Sequence, residues 1–245
     1  MSADLDIILA AHGAGDDSGA NAFVRSCALQ LEAGAAGARV TAAFHLGAPA
    51  YSVALRRADR AKVLVVPLLM SDGFFADRLR GEISSGSRSQ RTPVVLRPIG
   101  TQPRFIRTVA NRVAAAMCRR ERPSRPAMII VVAHGTQRHA GSGGAGRTLA
   151  DAIARRSALP AHAAYLDQSP TIEEVIAHTP AGADLIIVPL LLGGAGHAER
   201  DVPSRVAAAA AARGMSDERI AFIEPLSGLT EITDIVSRLV RDARA

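Results

Sequence analysis

Apolar residues along the chain gather in short unbroken runs: Ile7-Ile8-Leu9-Ala10-Ala11, Val63-Leu64-Val65-Val66, Met128-Ile129-Ile130-Val131-Val132 and Leu185-Ile186-Ile187-Val188. Runs of this length without polar alternation read as strands buried on both faces. The pattern predicts strands over 4–13, 39–44, 61–70 and 93–96, with helices over 18–33, 49–57, from about 75, and 104–120 between and after them. It then predicts strands over 128–133, 161–166, 184–191 and 220–223, with helices over 148–156, 171–177, 202–212 and 229–241. Strands alternating with helices imply parallel sheets covered by helices on both sides.

The second series repeats the first. Ala-His-Gly at His12 and His134, Val-Pro-Leu-Leu at Pro67 and Pro189, and the arginines Arg78 and Arg200 all keep one offset of 122 (134 − 12, 189 − 67, 200 − 78). A period of this size marks a duplicated domain rather than a solenoid. The charged, proline-rich stretch Arg122-Pro123-Ser124-Arg125-Pro126 reads as the linker, giving domains 1–121 and 127–245. The expected fold is α/β: two tandem flavodoxin-like domains, each a four-stranded parallel sheet of order 2-1-3-4 with helices on both faces. Pro67 and Pro189 fall inside strands meant to be central, where proline removes a ladder bond, so a bulge or an early end of pairing is expected there.

Composition adds bounds. The 245 residues are 48% hydrophobic, 21% charged and 3% aromatic, so Ala, Val, Leu and Ile must fill the core. No apolar run approaches the eighteen or so residues of a membrane span, and the first residues lack the basic start of a signal peptide, so a cytoplasmic protein is expected. Cys27 and Cys118 show no CxxC spacing and fit reduced, buried thiols. A net charge of +6 suits an acidic small molecule. It does not point to nucleic acid, because the arginines are not interleaved with aromatics.

The chemistry is expected where apolar strands end in histidine. His134 follows the first strand of the second half directly, and His197 comes a few residues after the third, behind Leu192-Gly193-Gly194-Ala195-Gly196. In a 2-1-3-4 sheet these strands are neighbours about 4.8 Å apart, and ligands bind at their carboxyl ends. Asp167, after the second strand, approaches from the other side. Two neutral imidazoles and a carboxylate make a site for a first-row divalent ion with positions left open for a ligand. The glycine-rich loop lets something large and flat lie against its backbone. The first half keeps His12, but subtracting 122 from 197 gives Phe75 (197 − 122), so His12 reads as a structural remnant. His45 also lies near a strand end. His139, His162 and His178 read as exposed or satisfied.

These residues resemble the sirohydrochlorin chelatases of the CbiX/SirB type, the class II tetrapyrrole chelatases. The resemblance rests on His134-Gly135, on Asp167, and on Val188-Pro189-Leu190 leading to His197 and on to Glu199-Arg200-Asp201-Val202-Pro203. It implies insertion of Co²⁺ or Fe²⁺ into sirohydrochlorin, for cobalamin or sirohaem, by a lyase with no tightly bound cofactor. His134 is implied as metal ligand and proton acceptor, His197 as metal ligand, and Asp167 as metal-binding carboxylate. Asp167 with Leu192, Gly193, Gly194, Ala195 and Gly196 would line the macrocycle pocket. Arg138, Arg147 and Arg200 are candidate partners for its peripheral carboxylates. Asp167 stands where many relatives have glutamate, and the full set occurs only in the second half, which implies one active site per chain. The implied partners are the tetrapyrrole and the metal, without nucleic acid or membrane, in a monomer or homodimer. A nonenzymatic metal or tetrapyrrole carrier is the alternative. The histidine phosphatases also place a histidine at a strand end, but they need an arginine directly before it, where Ala133 and Ala11 stand here.

Overall fold

A computed structural model of the chain describes residues 5–15, 19–35, 37–86, 92–119, 125–192, 200–223 and 229–243. In chain order the elements are β1 (Leu5–Gly13), α1 (Gly19–Gly34), β2 (Ala38–Leu46), α2 (Tyr51–Arg57), β3 (Lys62–Pro67), α3 (Phe74–Gly86), β4 (Val94–Val95) and α4 (Pro103–Arg119). They continue as β5 (Ala127–Ala133), α5 (Gly144–Ser157), β6 (Ala161–Tyr165), α6 (Ile172–Ala177), β7 (Asp184–Pro189), α7 (Val202–Ala211), β8 (Ile220–Phe222) and α8 (Leu229–Asp242).

Two four-stranded parallel sheets form, ordered β2-β1-β3-β4 and β6-β5-β7-β8, the 2-1-3-4 order expected from the sequence. The central strands are apolar because helices cover them from both sides; every residue of β5 is buried. In the second sheet Met128, Ile130, Val132, Leu185 and Ile187 pack beneath α6 and α7. Leu149, Ala150 and Ile153 of α5 are buried on the element that packs with β5, β6 and α4. Each fully buried Val, Leu or Ile contributes about 1.5–3 kcal/mol.

Both prolines end their strands. In β7, Ile187 is the last residue paired with β8, through Phe222, and its carbonyl accepts the Ile223 amide at 2.9 Å. Pro189, two residues on, faces the same side, past the end of that ladder, so its missing N–H costs no bond. Leu190 then donates to the Val132 carbonyl at 2.7 Å, which keeps the chain leaving β7 beside the end of β5. Pro67 repeats the arrangement in β3, with Leu68 donating to Ala10 at 2.8 Å.

Compact packing divides the chain into the described residues of Met1–Gln102 with those of Gly228–Ala245, and those of Pro103–Ser227. These units differ from the sequence repeats 1–121 and 127–245 in the terminal helices. The apolar stripe Phe105, Val109, Ala110, Val113 places α4 in the second unit, where Arg156 of α5 donates to Asn111 at 2.8 Å. The stripe Ile232, Ile235, Val236, Val240 places α8 in the first, against α1. Cys27 is buried as expected, and burial pushes its thiol up to about 11. Cys118, expected to be buried, is exposed on α4, because it lies off that helix's apolar stripe.

Candidate functional site

His134 is the first residue after β5, and its exposed ring stands at the carboxyl end of the second sheet, between the ends of β6 and β7. The turn behind it requires glycine. Gly135 has φ +69°, and a Cβ there would lie 2.6 Å from Gln168 Cγ and 2.9 Å from Tyr165 Cβ. That turn brings the Gly135 carbonyl within 3.0 Å of His134 Nδ1. Asp167, two residues past β6, puts Oδ2 at 3.3 Å from the same nitrogen. A carbonyl and a carboxylate can only accept, so Nδ1 carries the proton and Nε2 the lone pair. Asp167 thus lies on the Nδ1 side of the ring. His134 and Asp167 side chains are 49% and 60% exposed, so solvent screens their attraction.

The two turns are fastened together. The Leu166 amide donates to the Ala133 and His134 carbonyls at 3.1 and 3.0 Å, and the Asp167 amide to His134 at 3.0 Å. Gln168 acts as a strap across the gap: its Oε1 accepts from the Thr136 amide at 2.9 Å and from Ser142 Oγ at 2.5 Å. The Thr136 carbonyl, 2.9 Å from Ser142 Oγ, shares that single hydroxyl proton with Gln168. Beneath them Tyr165, fully buried, donates to the Gly143 carbonyl at 2.6 Å. A Cβ on Gly143 would lie 2.5 Å from Gln168 Nε2, so small residues here make room for the strap. None of Gln168, Ser142 and Tyr165 was picked out by sequence reasoning; the only signal was the adjacency of Gln168 to Asp167.

The structure therefore brings together His134 and Asp167. Leu192 is half-buried, at the end of the described segment after β7. Gly193, Gly194, Ala195, Gly196 and His197 lie outside the described residues. Arg138, Arg147 and Arg200 are all exposed. His162 and His178 are exposed, with His178 Nδ1 held at 2.7 Å from the Glu174 carbonyl, and His139 Nδ1 accepts from the Gly141 amide at 3.0 Å. Among the described residues no three His, Cys, Asp or Glu side chains gather as a metal site, and no helix is long and apolar enough to cross a membrane. A groove of 670 Å³ along edge strand β6 is lined by Arg147, Asp151, His162 and Glu174 among others, but not by His134 or Asp167.

The first unit repeats the turn without the carboxylate. Gly13 has φ +74° and His12 Nδ1 lies 2.7 Å from its carbonyl. Ala11 pairs with Phe44 as Ala133 pairs with Tyr165, so β2 and β6 correspond at an offset of 121 (165 − 44), and the counterpart of Asp167 is Leu46. Phe75 packs edge-on against His12 with centroids 4.1 Å apart, and His45 lies 5.7 Å from His12. Burial first, then the Arg78 cation, holds the His45 imidazole below its ordinary pKa.

The CbiX family model matches residues 6–116 and again 128–243. The chain belongs to the CbiX family of class II chelatases. Among its relatives is a protein of Halobacterium salinarum described as a probable sirohydrochlorin cobaltochelatase, 24% identical over 220 residues, 80% of this chain and 75% of the relative. Two solved chelatases share the fold of this CbiX protein. One is the CbiX described as the terminal enzyme for biosynthesis of siroheme in denitrifying bacteria, at TM-score 0.69 and 22% identity over 97% of this chain and 99% of that one. The other is the sirohydrochlorin chelatase SirB of Bacillus subtilis subspecies spizizenii in complex with cobalt, at TM-score 0.72 and 16% identity over 97% and 94%.

Proposed function

We propose that this chain inserts Co²⁺ or Fe²⁺ into sirohydrochlorin at one site, built on the second repeat, 127–245. The observation that carries the reading is the His134–Asp167 pair at the carboxyl end of the second sheet, with the His134 proton on Nδ1. The repeated position in the first unit holds His12 with Leu46 and Phe75 instead. Family membership and the relatives named above supply the reaction class. The same relatives include both a probable cobaltochelatase and a siroheme enzyme, so both metals stay in the proposal.

Metallation releases two protons from pyrrole nitrogens as the ion exchanges water for the ring. His134 Nε2 is the lone pair positioned to hold the incoming ion and to accept a pyrrole proton as the ion passes to the macrocycle. Asp167 acts on the metal through His134: its carboxylate at Nδ1–H fixes the orientation of the ring, as carboxylates do behind metal-bound imidazoles. His197 is proposed as the second ligand. In the first unit Phe75, its counterpart by the 122 offset, packs directly on His12, and a residue so placed in the second would meet His134. The Leu192–Gly196 segment is proposed as the wall against the flat macrocycle, with exposed Arg138, Arg147 and Arg200 meeting its carboxylates. A cytoplasmic monomer or homodimer completes the proposal.

The test is anaerobic incubation of Co²⁺ or Fe²⁺ with sirohydrochlorin, following the absorbance change. His134→Ala and His197→Ala should each slow metallation by about 10²-fold or more with an unchanged circular dichroism spectrum. His12→Ala should stay within about twofold of the wild type, since it removes only surface-side packing. Equal loss from all three variants would overturn the single site. Binding without acceleration by the wild type would make the protein a carrier.

A further inference from the structure

Arg205 of α7 joins helix α6 to the turn that carries Asp167. Its Nε and Nη2 grip both carboxylate oxygens of Glu173 in α6, at 2.7 and 2.6 Å. Its Nη1 donates to the Leu166 carbonyl at 2.8 Å. Leu166 is the residue before Asp167, and its amide is tied to the end of β5 at Ala133 and His134. One side chain thus fastens α6, α7 and the β6–α6 turn to the strand end that presents His134. Such a three-way planar grip is within the reach of arginine and not of lysine. The guanidinium is also close enough to feel the Asp167 charge.

That placement creates an electrostatic difficulty for a cation-binding site. A bare guanidinium on the peptide before Asp167 would oppose the attraction of the carboxylate for a divalent ion. Glu173 removes the difficulty by neutralising Arg205 within hydrogen-bond distance. Glu174, its neighbour, is occupied otherwise, closing the capping box of α6 with Thr171. The Arg78–Glu82 pair of the first unit is about as exposed but lies within a single helix and ties no second element to it.

We propose that Arg205 and Glu173 are positioning residues for the metal-binding turn: Arg205 fixes the peptide that aims Asp167, and Glu173 keeps that arginine from opposing a divalent cation. The inference rests on the function proposed above. Co²⁺ titration of the protein without tetrapyrrole, read by the d–d absorption of the bound ion, tests it apart from turnover. Glu173→Gln keeps the side-chain shape and leaves the guanidinium only the non-bonded Asp167 and Asp201 charges, so the Co²⁺ Kd should rise about three- to fivefold, the scale of a partly exposed charge. The KM for the metal should rise with it, while the KM for the anionic tetrapyrrole stays level or falls. Raising the salt from about 0.05 to 0.5 M should shrink the effect. Combining Glu173→Gln with Arg205→Gln removes both charges and should lower the Kd from the Glu173→Gln value, stopping short of the wild-type value because the grip on the Leu166 carbonyl goes with the arginine. A merely structural pair predicts no recovery in that double variant. Unchanged Co²⁺ affinity in Glu173→Gln, or no recovery in a folded double variant, would overturn the clamp alone; absence of Co²⁺ binding by the wild type would overturn the proposed function with it.

Discussion

Gly135→Ala and Gly182→Ala make a matched pair of perturbations. Both glycines have left-handed backbones, φ +69° and +77°, and both belong to the second unit, so their unfolding transitions are comparable. At Gly182 a Cβ meets nothing within 4 Å, so alanine costs only the backbone strain, about 1–2 kcal/mol. At Gly135 the new Cβ lies 2.6 Å from Gln168 Cγ and 2.9 Å from Tyr165 Cβ. Gln168 must swing away and surrender its bonds to Thr136 and Ser142, and the turn itself must ease back from the buried Tyr165 Cβ. At about 0.5–1.5 kcal/mol net for each, the total for Gly135→Ala is about 2–5 kcal/mol. With roughly 2–4 °C of melting temperature per kcal/mol, Gly135→Ala should melt about 6 °C below Gly182→Ala. Thermal unfolding followed by circular dichroism gives the comparison. A Gly135→Ala protein as stable as Gly182→Ala would refute the argument that Gly135 is needed for close approach as well as for its dihedral.

Tyr165→Phe removes the donor to the buried Gly143 carbonyl and should cost about 1–2 kcal/mol in urea unfolding, with little change in the sheet. The Glu173 carboxyl is held at about 2, below its ordinary 4.5, chiefly by the Arg205 hydrogen bonds. A lowered folded pKa gives stability that is complete above pH 4.5 and lost as pH falls toward 2. Because the side chain is about half exposed, the loss should not exceed about 1 kcal/mol. Denaturant midpoints of Glu173→Gln should lack this acid limb.

The alternation of strands and helices was legible because the central strands are buried on both faces, which leaves runs such as Met128–Val132 without polar interruption. Pro67 and Pro189 fitted once pairing with the outer strand ended before them. The start of α5 was not legible: it begins at Gly144, four residues before Thr148. Gly144-Ala145-Gly146 reads as loop by propensity, yet a Cβ on Gly146 would lie 3.3 Å from the Tyr165 ring and 3.5 Å from Ala133, so small residues let the helix seat against the sheet. His134 and Asp167 were readable because each follows a strand end. Gln168, Ser142 and Arg205 were not, because strapping and clamping depend on which turns face each other in space. Pairing of His134 with His197 stands as a proposal, with His197 outside the described residues.

The duplication explains which half carries the chemistry only when its register is followed in space. A constant offset of 122 aligns the histidines and the prolines, but β2 and β6 correspond at 121, which sets Leu46 opposite Asp167. The first unit thus keeps the His-Gly turn and its Nδ1 contact, features that come from the left-handed glycine alone. What it lacks is the carboxylate beside Nδ1. Its counterpart of the carboxylate is apolar, its counterpart of the second imidazole is the Phe75 ring seated on His12, and the Arg78 cation faces His45 nearby. A divalent ion would there meet His12 under the Phe75 ring, with His45 5.7 Å away and Arg78 already paired to Glu82, and among the described residues no carboxylate stands at Nδ1 as Asp167 does in the second unit. The second unit keeps the same turn and adds a carboxylate at Nδ1, a strap that holds the two turns together, and an arginine neutralised by its own glutamate. The local histidine turn is common to both halves, so the difference in proposed activity must come from residues that reach it from the neighbouring strand and helices.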